Sequence, residues 1–243
     1  MAGHSKWANI KHRKQVMDGK KAAANANLSK EISVAARLGG SDPAFNFRLR
    51  NAIDRAKIIG VPNDNIQRAI DKSKGAHADG FEEIIYEAYG PGGTAIIIEA
   101  GTNNRNRTAA EIRLILGKYE GKLGESGCVS WGFNLRGVIY CPKDEKITED
   151  FMLNLIINLS TSSENINLIN DSEHWILTVP IESYEAVVKE IQNKIDCTCE
   201  ISYIATNEVF LKNPDTIEKF EKLIESLEDN EDVQKVFHNA SVE

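Results

Sequence analysis

EEIIYEAYGPGGTAIIIEAGTNNRNRTAAEIRLIL, residues 82–116, decides the fold. Residues 82–89 and 94–100 are rich in isoleucine, tyrosine and alanine and flank Gly90-Pro91-Gly92-Gly93, so they read as two strands joined by a tight turn. Thr108-Ala109-Ala110-Glu111 has the form of a capping box, and Ile112, Ile115 and Leu116 then recur at helical spacing. A strand–turn–strand–helix unit must cover one apolar sheet face with its helix, which predicts an α+β architecture.

Downstream the same alternation continues. Strands are predicted at 128–133, 137–141, 175–179, 198–205, 209–211 and 233–238, with helices at 147–159, 181–195 and 214–227. Short strands and helices in this order suggest two α+β sandwiches of ferredoxin-like kind. Upstream the period changes to helical. Leu28, Ile32, Ala35 and Ala36 mark one helix, closed by Gly39-Gly40, and Ser41-Asp42-Pro43 restarts the chain. Leu49, Ile53, Ala56 and Ile59 mark a second helix, stopped at Gly60. Ile66, Ala69 and Ile70 mark a third, ending at Gly75. Residues 76–80 read as a linker.

Charge divides the chain at the same place. Residues 1–75 carry 15 Lys/Arg against 6 Asp/Glu, a net of +9, and residues 76–243 carry 14 against 30, a net of −16. The overall −7 therefore conceals a basic module joined to an acidic body. The first fourteen residues, MAGHSKWANIKHRK, concentrate this pattern: Lys6, Lys11, Arg13 and Lys14 are cations, His4 and His12 can hydrogen-bond phosphate, and Trp7 can stack on a base. A basic arm lying along nucleic acid is one reading, and a disordered terminus without a partner is the other. In the helices, Arg37, Arg48 and Arg50 belong to a set of cations too numerous for the module's six acids. Arg105 and Arg107, in TNNRNR, stand at a predicted helix start, where free N–H groups favour anions. The alternative is that Asn104 and Asn106 cap the turn while the arginines pair with acids.

Other classes find little support. Gly90-Pro91-Gly92-Gly93 lacks the Gly-Lys-Ser/Thr ending of a phosphate loop. No nucleophile–base pairing, metal-ligand cluster or cofactor motif stands out, so no enzyme, catalytic residue, metal, cofactor or small-molecule substrate is expected. Cys128, Cys141, Cys197 and Cys199 lack zinc-finger spacing and read as buried free thiols, with Cys197 and Cys199 on one face of a strand. No apolar run approaches a membrane span and no leader-like start is evident, so a cytoplasmic protein without membrane contact is expected.

MAGHSKWANIKHRK, EISVAARLGGSDP, YGPGG, TNNRNRTAAEIR and DVQKVFHNA, in this order over nearly the whole chain, together resemble the YebC/PmpR family. That family includes the mitochondrial translational activator of cytochrome oxidase subunit one. The resemblance implies three domains: a basic arm and helical domain at 1–75, an α+β domain at 76–135 plus 206–243, and a third α+β domain at 136–205 inserted in the second. It implies nucleic-acid binding, either as a ribosome- or RNA-associated translation factor that relieves stalling or as a DNA-binding transcriptional regulator. Lys20 and Lys21 keep the family's basic pattern in the first helix, but residues 22–27, AAANAN, replace a stretch that elsewhere supplies cations and a phenylalanine. Asn103 stands where the family tends to have an acid. The expected nucleic-acid contacts are therefore Lys6, Trp7, Lys11, His12, Arg13, Lys14, Lys20, Lys21, Arg37, Arg48, Arg50, Arg105 and Arg107. The expected partners are ribosomal RNA and the ribosome, or DNA. The lack of a helix with clustered Asn, Gln and Arg at its start favours RNA.

Overall fold

A computed structural model describes residues 21–73, 81–159 and 166–242. The predicted linker at 76–80 lies outside them. In chain order the helices are α1 (Lys21–Gly39), α2 (Phe47–Ile59), α3 (Asn63–Ser73), α4 (Arg105–Lys118), α5 (Glu149–Ile157), α6 (Tyr184–Gln192) and α7 (Pro214–Glu228). The strands are β1 (Glu82–Tyr89), β2 (Ala95–Thr102), β3 (Lys122–Leu123), β4 (Phe133–Pro142), β5 (Asn167–Asn170), β6 (His174–Pro180), β7 (Thr198–Ala205), β8 (Val209–Leu211), β9 (Val233–His238) and β10 (Ala240–Val242). The chain forms two compact units. Residues 135–204 make one, and the described residues on either side of that segment make the other.

The three N-terminal helices close over one apolar cluster. Leu28, Ile32, Ala35 and Ala36 of α1 meet Leu49, Ala52, Ile53 and Ala56 of α2 and Ile66, Ala69 and Ile70 of α3. Alanine at the contact positions lets the helices approach closely. The AAANAN stretch continues α1, as alanine's helix propensity predicts. Asn46 governs the α1–α2 corner. Its amide donates to the carbonyls of Ala35 (2.7 Å) and Gly40 (2.8 Å), and its Oδ1 accepts from Leu49 N–H (3.0 Å). One buried side chain thus closes α1 and caps α2. Gly60, at φ 87°, ends α2 in the left-handed conformation.

The α+β part of the same unit is a four-stranded sheet of order β3-β1-β2-β9. β2 pairs antiparallel with β1 (Tyr89↔Ala95, Glu82↔Thr102) and with β9 (Ile96↔His238). Ala88, Ile96, Ile98 and Val236 line one face and pack on Ile112 and Leu116 of α4 and on Phe220, Leu223, Ile224 and Leu227 of α7. Each fully buried large side chain contributes about 1.5–3 kcal/mol of transfer free energy. The Gly90–Gly93 segment forms the expected tight turn. Gly92 sits at φ 71°, and a Cβ there would lie 2.5 Å from the Leu211 side chain.

The second unit reads β4-α5-β5-β6-α6-β7, with sheet order β5-β6-β4-β7. The first strand lies between the third and the last, the ferredoxin-like arrangement. Met152, Leu155 and Ile156 of α5 and Val187, Val188 and Ile191 of α6 are buried. Gly137 lets the Tyr184 ring approach β4, since a Cβ would stand 2.1 Å from Cδ2. The fold is therefore α+β, an N-terminal helical module followed by antiparallel sheets with helices.

Several boundaries differ from the sequence reading. Residues 128–132 are not a strand, because Glu87 takes the N–H groups of Val129 and Ser130, as described below; β4 instead runs as one strand from Phe133. The helix after TNNRNR starts at Arg105 rather than at the Thr108 box. The Asn104 side chain accepts from Arg107 N–H (3.1 Å), and Thr108, already inside the first turn, donates to Asp232 (2.6 Å). β3, β5 and β10 have only two to four residues each and no period long enough to read.

Candidate nucleic-acid interface

Of the sequence-predicted contacts, Lys6, Trp7, Lys11, His12, Arg13, Lys14 and Lys20 lie outside the described residues, and Lys21 opens α1. The three arginines expected in the helical module occupy three settings. Arg37, in the last turn of α1, places its guanidinium 4.7 Å from the centroid of the Phe81 ring. Arg48 makes a bidentate pair with Glu83 of β1, at 2.9 and 2.7 Å. Arg50 is exposed and lies 5.5 Å over the Phe47 ring.

Arg48 and Arg37 belong to a polar seam between the helical module and the sheet. At its centre Glu31 of α1 bonds to Arg55 of α2 and lies 3.8 Å from Lys235 of β9. Burial alone would raise the Glu31 pKa. The Arg55 and Lys235 charges outweigh that and lower it to about 2. Lys30 donates to the Asn230 carbonyl (2.8 Å), and burial lowers its pKa against the nearby charges of Glu231, Asp229 and Asp232. These residues hold the module on the sheet, and sequence periodicity carries no signal for contacts about 200 residues apart.

TNNRNR gives a mixed result. Asn104 caps α4. Arg107 turns to Asp232, with Nη2 2.9 Å from Oδ2, and that carboxylate raises its pKa. Arg105 remains exposed, its backbone carbonyl accepting from the Tyr86 hydroxyl at 3.1 Å. The capping-and-pairing alternative therefore describes Asn104 and Arg107.

The two most exposed aromatics among the described residues were missed. Phe45, in the turn between α1 and α2, is 90% exposed. Asp42 folds that turn by accepting from the N–H groups of Ala44 (2.8 Å) and Phe45 (3.2 Å). Phe45 lies within five residues of Arg48 and Arg50, and an aromatic placed just after Gly-Gly-Ser-Asp-Pro, where no core face is due, was the available signal. Trp131 is 76% exposed and donates its indole N–H to the Cys128 carbonyl (3.0 Å), which also accepts from Tyr89 Oη (2.9 Å). Glu87 orders that loop. Its carboxylate accepts from the N–H groups of Gly127 (2.7 Å), Val129 (2.7 Å) and Ser130 (2.8 Å). Burial would raise the Glu87 pKa, and these bonds lower it overall.

A helical module carrying cations and an exposed aromatic, joined by ion pairs to an antiparallel α+β sheet, defines the class to which the chain is assigned. The chain belongs to the TACO1/YebC family: residues 5–76 match its N-terminal domain and residues 81–240 its second and third domains. It is 45% identical over its full length to a probable transcriptional regulatory protein of Thermoanaerobacter pseudethanolicus, covering 98% of that protein. It is equally 45% identical, again over its full length, to one of Nostoc punctiforme, covering 96%. Among solved structures it is similar to a conserved hypothetical protein of Aquifex aeolicus, at 35% identity and a TM-score of 0.78, with 93% of this chain and 92% of that one covered.

Proposed function

We propose that this protein is a non-enzymatic, nucleic-acid-binding regulator of gene expression, and that its target is RNA at the ribosome, where it relieves stalled translation. The observation that carries the reading is Phe45, 90% exposed on the basic helical module beside Arg48 and Arg50. A duplex hides its base faces, whereas irregular RNA offers unstacked bases to an aromatic and phosphates to the cations around it. The segment at 1–14 supplies further cations and Trp7, and Arg105 supplies a second contact. The rest of the acidic body holds the bound nucleotides in a productive arrangement without covalent chemistry.

The relatives' description as probable transcriptional regulatory proteins favours DNA as a second reading. Co-sedimentation of the full chain, and of a chain lacking residues 1–14, with ribosomes at low and physiological salt separates the two. Segment-dependent pelleting supports the translation reading. Absence of pelleting with either chain, together with binding to promoter fragments, supports the transcriptional one.

A further inference from the structure

Three of the chain's four cysteines meet in the second unit. Cys141, near the end of β4, is fully buried. Cys197, just before β7, is half-buried, and Cys199, on β7, is 4% exposed. The Cys197 and Cys199 sulfurs are 3.7 Å apart, and the Cys141 thiol interacts with that of Cys197 closely enough to shift its ionisation. No disulfide joins them. Among the described residues no group of three or more His, Cys, Asp or Glu is arranged to hold a metal, so the chemistry open to the trio is that of thiols. β4 and β7 are sheet neighbours and are also the first and last strands of the unit.

We infer that Cys197 and Cys141 form a peroxide-reactive dithiol whose reversible disulfide staples the second unit between its first and last strands. Cys197 is the attacking group because it alone of the three is open to solvent. Hydrogen bonds from the Cys141 and Cys199 thiols draw its pKa well below the ordinary thiol value, while bonding to Cys197 and burial push that of Cys141 up. The Cys197 thiolate attacks one oxygen of a hydroperoxide. The O–O bond breaks, Cys197 becomes a sulfenic acid, and the other oxygen leaves as water or an alcohol after taking a proton. The Cys141 sulfur then attacks the sulfenic sulfur. The S–S bond forms, and hydroxide departs with the Cys141 proton as water. Two thiols are oxidised by two electrons and one peroxide is reduced by two.

Strand geometry selects Cys141 over Cys199 as the resolving partner. Residues two apart on an extended backbone have Cα atoms about 6.6 Å apart, at the upper edge of what a disulfide spans, whereas Cys141 lies on the strand next to β7. The Cys141–Cys197 bond would close a loop holding α5, β5, β6 and α6. Closing so long a loop restricts the unfolded chain and raises the melting temperature of the unit.

The test treats the full chain with hydrogen peroxide, blocks remaining thiols and maps peptides by mass spectrometry without reduction. The expected result is a Cys141–Cys197 linkage that dithiothreitol reverses, with a melting temperature that rises on oxidation and falls on reduction. Cys128, in the first unit, should react more slowly, because its thiol pKa is raised. Cys141→Ser should leave a Cys197 sulfenic acid that dimedone traps, and Cys197→Ser should abolish both products. A time course on the unsubstituted chain keeps the test valid if either variant folds poorly. A Cys197–Cys199 linkage, equal rates at Cys128 and Cys197, or overoxidation without any linkage would overturn the proposal.

Discussion

Replacing Glu31 with glutamine removes one charge and almost no volume from the seam between the helical module and the sheet. Glu31 is largely buried, bonded to Arg55 and near Lys235, and its pKa falls from an ordinary 4.5 to about 2. At about 1.4 kcal/mol per unit, the ionised form stabilises the fold by about 3 kcal/mol. A depressed carboxylate pKa contributes stability that is complete above the unfolded value. That stability is lost as pH falls from about 4.5 through the folded value near 2. Glu31→Gln should therefore lower unfolding free energy by about 3 kcal/mol at pH 7, the size seen when one member of a buried pair is removed. The gap between the two proteins should shrink below pH 4.5 and nearly vanish by pH 2. Urea titrations followed by circular dichroism at pH 7, 5, 3.5 and 2.5 measure it, and an unchanged urea slope shows that the same surface is being exposed. Other carboxylates titrate in both proteins and cancel in the difference. A gap that stays constant down to pH 2.5, or is absent at pH 7, refutes the assignment.

Phe45→Ala should leave the melting temperature unchanged, since the ring touches no core, yet weaken single-stranded RNA binding by about 1–3 kcal/mol, measured by fluorescence anisotropy. Changing Lys11, Arg13 and Lys14 together to alanine should flatten the slope of log K against log salt by about 2 on single-stranded RNA, and an unaltered slope removes the segment from the interface. Gly137→Ala should destabilise by about 1–3 kcal/mol in calorimetry, because the added Cβ meets the Tyr184 ring. Without that clash alanine would stabilise a strand, so the sign decides.

Long periodic elements were legible in the sequence, and short or polar-anchored ones were not. Thr198–Ala205 and Val233–His238 have the predicted bounds because each run of alternating or β-branched residues ends at a turn or polar residue. Residues 128–133 looked like a strand by the same rule. The Val129 and Ser130 N–H groups go instead to a carboxylate more than 40 residues away, and local pattern cannot reveal a partner at that separation. The same limit moved the start of α4. Thr108 and Glu111 have capping spacing, but Thr108 is taken by Asp232 and Glu111 by Asn230, while Asn104 caps the helix.

The candidate site was legible as a charge and only partly as a surface. Counting cations against acids within residues 1–75 shows an excess and so locates the basic module. It does not show which cations are committed elsewhere, because Arg48 finds its acid at residue 83, outside the counted segment, just as Arg107 of the body pairs with Asp232. Those pairs are solvent-accessible, so each is worth little to stability, and phosphate can compete for either arginine. An ion pair of this kind restrains a side chain without withdrawing it from the surface. Arg48 therefore differs from Arg55, which Glu31 holds largely buried and which no phosphate reaches without opening the seam. Glu83→Gln separates the cases: freeing Arg48 should tighten RNA binding and leave stability nearly unchanged. Weaker binding would mean that Glu83 positions Arg48 for the polyanion instead of competing with it.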